Sequence, residues 1–184
     1  MTEIPNHPVY HKNVIEMLTV ANDFCLTMDK SGEMSKTALM NYLQKISPLL
    51  YIKGSLLPEI EVSNPDANER FLTEEKWEWL FNELRKKFGN NDEFWYVDSL
   101  EKNQPDPIKG SMAEYFTDIY QDMKDFLELY QKSSLAAKEN AVHELKRSFE
   151  KRWGYRNVVA HKALHYVLMN NTQNEELFDY PSIF

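Results

Sequence analysis

Residues 114–126 read EYFTDIYQDMKDF and set four carboxylates, Glu114, Asp118, Asp122 and Asp125, along one stretch of helical character. At about 100° per residue these acids share an arc of about 80°, beside an apolar face made of Tyr115, Ile119, Met123, Phe126 and Tyr130. Carboxylates placed in this way have three uses. They pair with cations of a neighbouring helix, they hold a metal ion or ligand, or they solvate a surface. Like charges three or four residues apart repel by roughly 0.2–0.5 kcal/mol per pair, so about four such pairs, with Glu128 included, lose roughly 1–2 kcal/mol unless something compensates. Asp118 and Asp122 lie nearest the apolar edge, whereas Glu114 and Asp125 point further outward, Asp125 to solvent.

A cationic answer lies further along the chain. In the last helical pattern Val142, Leu145, Phe149, Trp153, Ala160, Ala163 and Val167 line one face, with Arg156 in its middle and Arg152 at its edge. An arginine on an apolar stripe needs a partner, and a planar guanidinium matches a carboxylate through two hydrogen bonds. The expected constellation is therefore Asp118 and Asp122 with Arg152 and Arg156, beside Trp153. It reads as a structural ion pair or as a ligand site.

Metal chemistry has fewer residues to draw on. His161 and His165 stand four apart, the spacing that puts two imidazoles on one helix face, but the same projection turns both away from the apolar side. They join Asp118 and Asp122 as the candidate metal ligands; His7, His11 and His143 are isolated. The acidic pairs Glu75/Glu78 and Asp122/Asp125 resemble those that hold magnesium on facing helices of all-helical nucleotide pyrophosphohydrolases. Glu78, however, is flanked by Trp77 and Trp79, and no pattern of lysine or arginine for phosphates lies nearby. There is no G-x-S-x-G, no Walker loop and no pair of cysteines, so the sequence assigns no catalytic set and no cofactor.

The elements that position these residues are helical throughout. Val14, Met17, Leu18, Ala21, Phe24, Cys25 and Met28 give one helix; Leu39, Tyr42, Leu43 and Ile46 give a second, capped by Ser35 and ended or kinked at Pro48. Trp77, Leu80, Phe81, Leu84 and Phe88 give a third, between a Thr73 cap and Gly89. Ser111 and Glu114 form the S-x-x-E box that opens the acidic helix, and a long pattern from about residue 136 to 169 closes the fold, interrupted by Gly154. Residues 54–71 and 90–110 are rich in turn formers and read as two long loops. The aromatic run Phe94, Trp95, Tyr96 is expected to anchor the second loop on the bundle, because no alternating run offers itself as a strand partner. The polar tail after Asn170 ends in Phe178, Tyr180 and Phe184. The expectation is an all-α, single-domain bundle of five or six helices, with an ordered core over about residues 8–170 and a tail over 171–184.

Composition narrows the functional classes. A chain of 184 residues supports one core, and its 42% hydrophobic share suits a globular protein. A net charge of −8 argues against non-specific nucleic-acid binding, which needs clustered cations. The N-terminal residues have neither the basic start nor the apolar run of a signal peptide, and no segment approaches the roughly 18 apolar residues of a membrane span. A cytoplasmic location is expected, with no membrane partner. The single cysteine, Cys25, falls in an apolar run and reads as a small buried hydrophobe.

The stretch DPIKGSMAEYFTDIYQDMKDFL, with its core D-I-Y-x-D-[LM]-K from Asp118 to Lys124, and the later W-G-x5-A-x2-A-L-H from Trp153 to His165, resemble the bacterial domain-of-unknown-function family 5063. The resemblance is best from about residue 106 to 168 and implies a cytoplasmic helical domain without an assigned activity. Two functions fit the residues: an interaction or accessory module whose partner is another protein, or a metal-dependent hydrolase (magnesium, manganese or zinc) of a phosphorylated or nucleotide substrate. Nothing in the sequence fixes an oligomeric state.

Overall fold

The first five helices each begin on a side chain that the sequence supplies for their first free amides. The computed structural model describes residues 6–98 and 106–177, in which α1 (Lys12–Asp29) starts on His11, α2 (Lys36–Ser55) on Ser35 and α3 (Glu74–Phe88) on Thr73. Two strands follow, β1 (Glu93–Tyr96) and β2 (Ile108–Ser111), then α4 (Met112–Tyr130) on a Ser111 cap and α5 (Leu135–Ser148) on a Ser134 cap. A π-helical turn, Phe149–Trp153, leads without a break into α6 (Gly154–Leu177). The fold is an all-α bundle carrying one small hairpin.

The acidic helix is the centre of the bundle. α4 touches α1, α3, α5 and α6, while α2 packs against α1 and α6 on the far side. Met112, Phe116, Ile119, Tyr120 and Met123 are fully buried along α4, in one core with Phe24, Leu43, Leu50, Phe88 and Trp153 of the other helices and the π-helical turn. A helix enclosed this far has little surface to give to water, so its polar residues must find partners inside the protein.

Four details differ from the sequence expectation. The Phe94–Trp95–Tyr96 run is a strand and not a loop anchor: it pairs antiparallel with β2, Phe94 opposite Gly110 and Tyr96 opposite Ile108. Its partner, IKGS, lacks alternation because Gly110 must stay bare; a Cβ there would stand 2.7 Å from the Phe94 ring. α2 runs through Pro48 to Ser55, since burial of Leu50 and Gly54 outweighs the one hydrogen bond the proline removes, and the first loop is correspondingly shorter. The closing pattern is two helices joined by a π-helical turn, with no break at Gly154. Helix α6 also continues past Asn170 to Leu177; Phe178, Tyr180 and Phe184 lie outside the described residues.

α2 closes tightly on the π-helical turn. A Cβ at Gly54 would fall 2.7 Å from Phe149 Cδ2, and Ser47 exchanges two hydrogen bonds with Asn157 of α6 deep in the interior, at 2.7 and 2.8 Å. This contact holds α6 at a fixed height against α2.

Candidate functional site

The four carboxylates of the acidic stripe meet residues of the elements around α4. Glu114 sits in the first turn, where its amide donates to Ser111 Oγ at 3.1 Å and its carboxylate stands 4.0 Å from Arg156 Nη1. The other half of this cap is Asp92, a buried residue just before β1. It accepts from the Ala113 amide at 2.7 Å and from Ser111 Oγ, and its carbonyl accepts from the Met112 amide. One turn on, Asp118 accepts from Trp77 Nε1 of α3 at 3.0 Å and pairs with Arg156 of α6. The Arg156 guanidinium lies over the Tyr115 ring, whose hydroxyl meets that of Tyr96 in β1 at 3.1 Å. Burial pushes the Tyr115 phenol above its ordinary range, so it stays protonated and serves only as a hydrogen-bonding group.

Asp122 takes the third rung. Its Oδ1 accepts from Arg152 of the π-helical turn at 2.6 Å and from Ser148 Oγ at 3.0 Å, while its Oδ2 is buried with no partner. Burial raises the carboxyl's pKa, against the pull of Arg152 and Ser148. Asp125, expected to face solvent, instead binds the 71–72 backbone. The Phe71 and Leu72 amides donate to its Oδ1 at 2.7 and 2.9 Å, which ties the first loop to α4. The acidic stripe is thus a ladder whose rungs fasten α6, α3, α5 and the loop before α3 to one central helix. The local repulsion along α4 is offset by cations and N–H donors from its neighbours.

The π-helical turn sets the geometry of the upper rungs. One extra residue in the turn keeps Arg152 against Asp122 while sending Trp153 fully into the core, where its Nε1 donates to the Leu145 carbonyl at 3.1 Å. Beside it a cleft of about 280 Å³ opens between α4, α5, the turn and residues 68–70. Its floor is Phe126, Leu129, Ala141 and Leu145, all buried, and Arg70, Lys151 and Asp122 are among the polar groups along its walls.

The histidines stand apart from the ladder. His165 is exposed; His161 is half-buried, with a buried Nδ1 that has no partner, and burial followed by the nearby His165 lowers its pKa. Among the described residues no group of three or more His, Cys, Asp or Glu side chains is placed to hold a metal ion. Asp118 and Asp122 are occupied by arginines, an indole and a hydroxyl.

Sequence reasoning passed over the outer face of α6. Tyr155, Val158, Tyr166 and Met169 fall within an arc of about 80° and are all exposed, Tyr166 by 70%. Between Lys151 and Asn170 the chain has no carboxylate. That signal was present in the sequence, but the search for core faces looks past apolar residues on the opposite side of a helix. The Tyr155 hydroxyl donates to Asp98 at 2.5 Å and joins this face to the end of β1 and the residues after it, where Trp95 and Val97 are also exposed. Among the described residues no helix is long and apolar enough to cross a membrane.

The chain is similar to protein BF1032 from Bacteroides fragilis, known from a crystal structure, with 29% identity and a TM-score of 0.78 over 97% of this chain and 100% of that one. No curated protein matches it. The model of the family described as Domain of unknown function (DUF5063) matches residues 8–170, from the turn before α1 to the outer stripe of α6, and the chain belongs to that family.

Proposed function

We propose that the protein is an interaction module that binds an acidic amphipathic helix of a partner protein on the outer face of α6. The observation that carries this reading is the stripe Tyr155, Val158, Tyr166 and Met169, exposed on a helix that has no carboxylate from residue 151 to 170 in a chain of net charge −8. Large apolar side chains gathered on one exposed face mark a contact surface. Their spacing offers the i, i+3, i+4, i+7 type of anchoring that pairs helices, and Lys162 within the stripe selects an acidic partner. The ladder beneath supports the same reading, because Asp118, Asp122 and Asp125 of α4 are engaged in holding the scaffold.

The test is capture of partners from the source cells by the full chain, alongside a Val158→Asp/Tyr166→Asp variant. A partner whose binding maps to an acidic helix, lost with the variant while thermal melting is unchanged, is the expected result. Equal recovery of that partner by the variant overturns the reading. So does loss, in the variant, of self-association in sedimentation or of binding to anionic vesicles, which would give the face to a second copy or to a lipid surface.

A further inference from the structure

We infer that the cleft between α4, α5 and the π-helical turn binds a small anion with an apolar body, its charge held by Arg70 and Lys151 and a hydroxyl or amino donor directed to Asp122. The charges around the cleft sort into satisfied and unsatisfied groups. Arg147 pairs with Glu144 at 3.4 Å, Arg152 with Asp122 at 2.6 Å, Glu69 with Lys132 at 3.5 Å, and Asp125 is held by two backbone amides. Among the described residues Arg70 and Lys151 have no carboxylate partner, in a chain with 29 acidic and 21 basic residues. Two cations left over on one rim of an acidic protein, above a buried apolar floor, form an electrostatic arrangement for a small amphipathic anion.

A second observation points the same way. Asp122 lines the cleft, and its Oδ2 is buried without a donor, while Oδ1 of the same carboxylate has two. Buried acceptors are seldom left unmet, and a ligand donor reaching this oxygen completes the set. The π-helical turn supplies Lys151 and Arg152 in succession, one to the rim and one to Asp122, and such turns recur where a helix is reshaped to present side chains. A cleft of about 280 Å³ admits one ring with its substituents, so the ligand is a small molecule and not a nucleotide.

Calorimetric titration of the full chain with 4-hydroxybenzoate and with 4-hydroxyphenyl phosphate tests the assignment and separates a carboxylate head from a phosphate head. Saturable binding of either anion is expected, weakened roughly tenfold in Arg70→Ala/Lys151→Ala and roughly tenfold for the matching ligand without its hydroxyl. Failure of both anions to bind, affinity unchanged by the double substitution, or equal binding of phenol overturns it. Both substituted side chains are exposed, and thermal melting verifies that the fold is intact. The Val158→Asp/Tyr166→Asp variant should keep the affinity, so this site and the α6 face stand or fall separately.

Discussion

Asp118 is the rung of the ladder whose removal reports most clearly on what the carboxylates do. It is 9% exposed, and its Oδ1 holds the Trp77 indole N–H at 3.0 Å; a hydrogen bond to a charged acceptor contributes about 1.5–3 kcal/mol. Its ion pair with Arg156 adds less than a fully buried pair would. The Arg156 side chain keeps 31% of its surface in water and has Glu114 at 4.0 Å as a second carboxylate, which places the pair near the exposed-pair value of up to about 1 kcal/mol. Asp118→Ala should therefore destabilise by about 3 kcal/mol, or roughly 6–12 °C in Tm for a chain of this size. Asp118→Asn keeps an oxygen for Trp77 and should lose only about 1–2 kcal/mol, because a neutral acceptor bonds about half as strongly. Urea unfolding at neutral pH, followed by circular dichroism with unchanged m-values, measures both. In a double-mutant cycle, Trp77→Phe in the Asp118→Ala background should show about 1 kcal/mol of coupling. Alanine and asparagine variants both within about 0.5 kcal/mol of wild type would refute the idea that the rung fastens α3 and α6 to α4.

Asp122 should show itself in the pH dependence. Burial raises its folded pKa above the ordinary carboxylate value of 3.8, so its contribution is fully present below the unfolded pKa and is lost as pH rises through the higher folded value. Relative to Asp122→Asn, wild type should thus lose stability as pH climbs from about 4 toward neutrality, measured as urea midpoints; a constant difference across that range would contradict the assignment. Gly54→Ala should destabilise by about 1–3 kcal/mol, because the added methyl meets the rings of Phe149 and Trp153, and a melting curve matching wild type would show that the π-helical turn has room to yield.

Helix positions were readable from the chain because their causes are local. Ser35, Thr73 and Ser111 cap the helices that follow them, and the stripe Tyr115, Ile119, Met123, Phe126 and Tyr130 is buried as its period implies. Arg152 and Arg156 could be matched to acids because they fall on or beside an apolar face, as Asp118 and Asp122 border one. The rest depends on partners that no local pattern names. Asp92 caps α4 across about twenty residues, and Trp77 reaches Asp118 from another helix; the amides that claim Asp125 belong to a loop without periodicity. The hairpin escaped notice because β2 contributes backbone and a glycine gap instead of alternating side chains. Pro48 read as an end or a kink, yet packing of the following turn against the core carries the helix through it to Ser55.

The paired hydrogen bonds between Ser47 and Asn157 join residues 110 apart, and both are buried. A chain made from its N-terminus onward exposes the side of α2 that meets α6 until α6 has left the ribosome. Closing so long a loop comes late and slowly in folding, after the neighbouring contacts among α3, α4 and α5 have formed. Fragments truncated before α6 should accordingly collapse without locking, and chaperones would find their binding surface on α2, around Ile46 and Leu50.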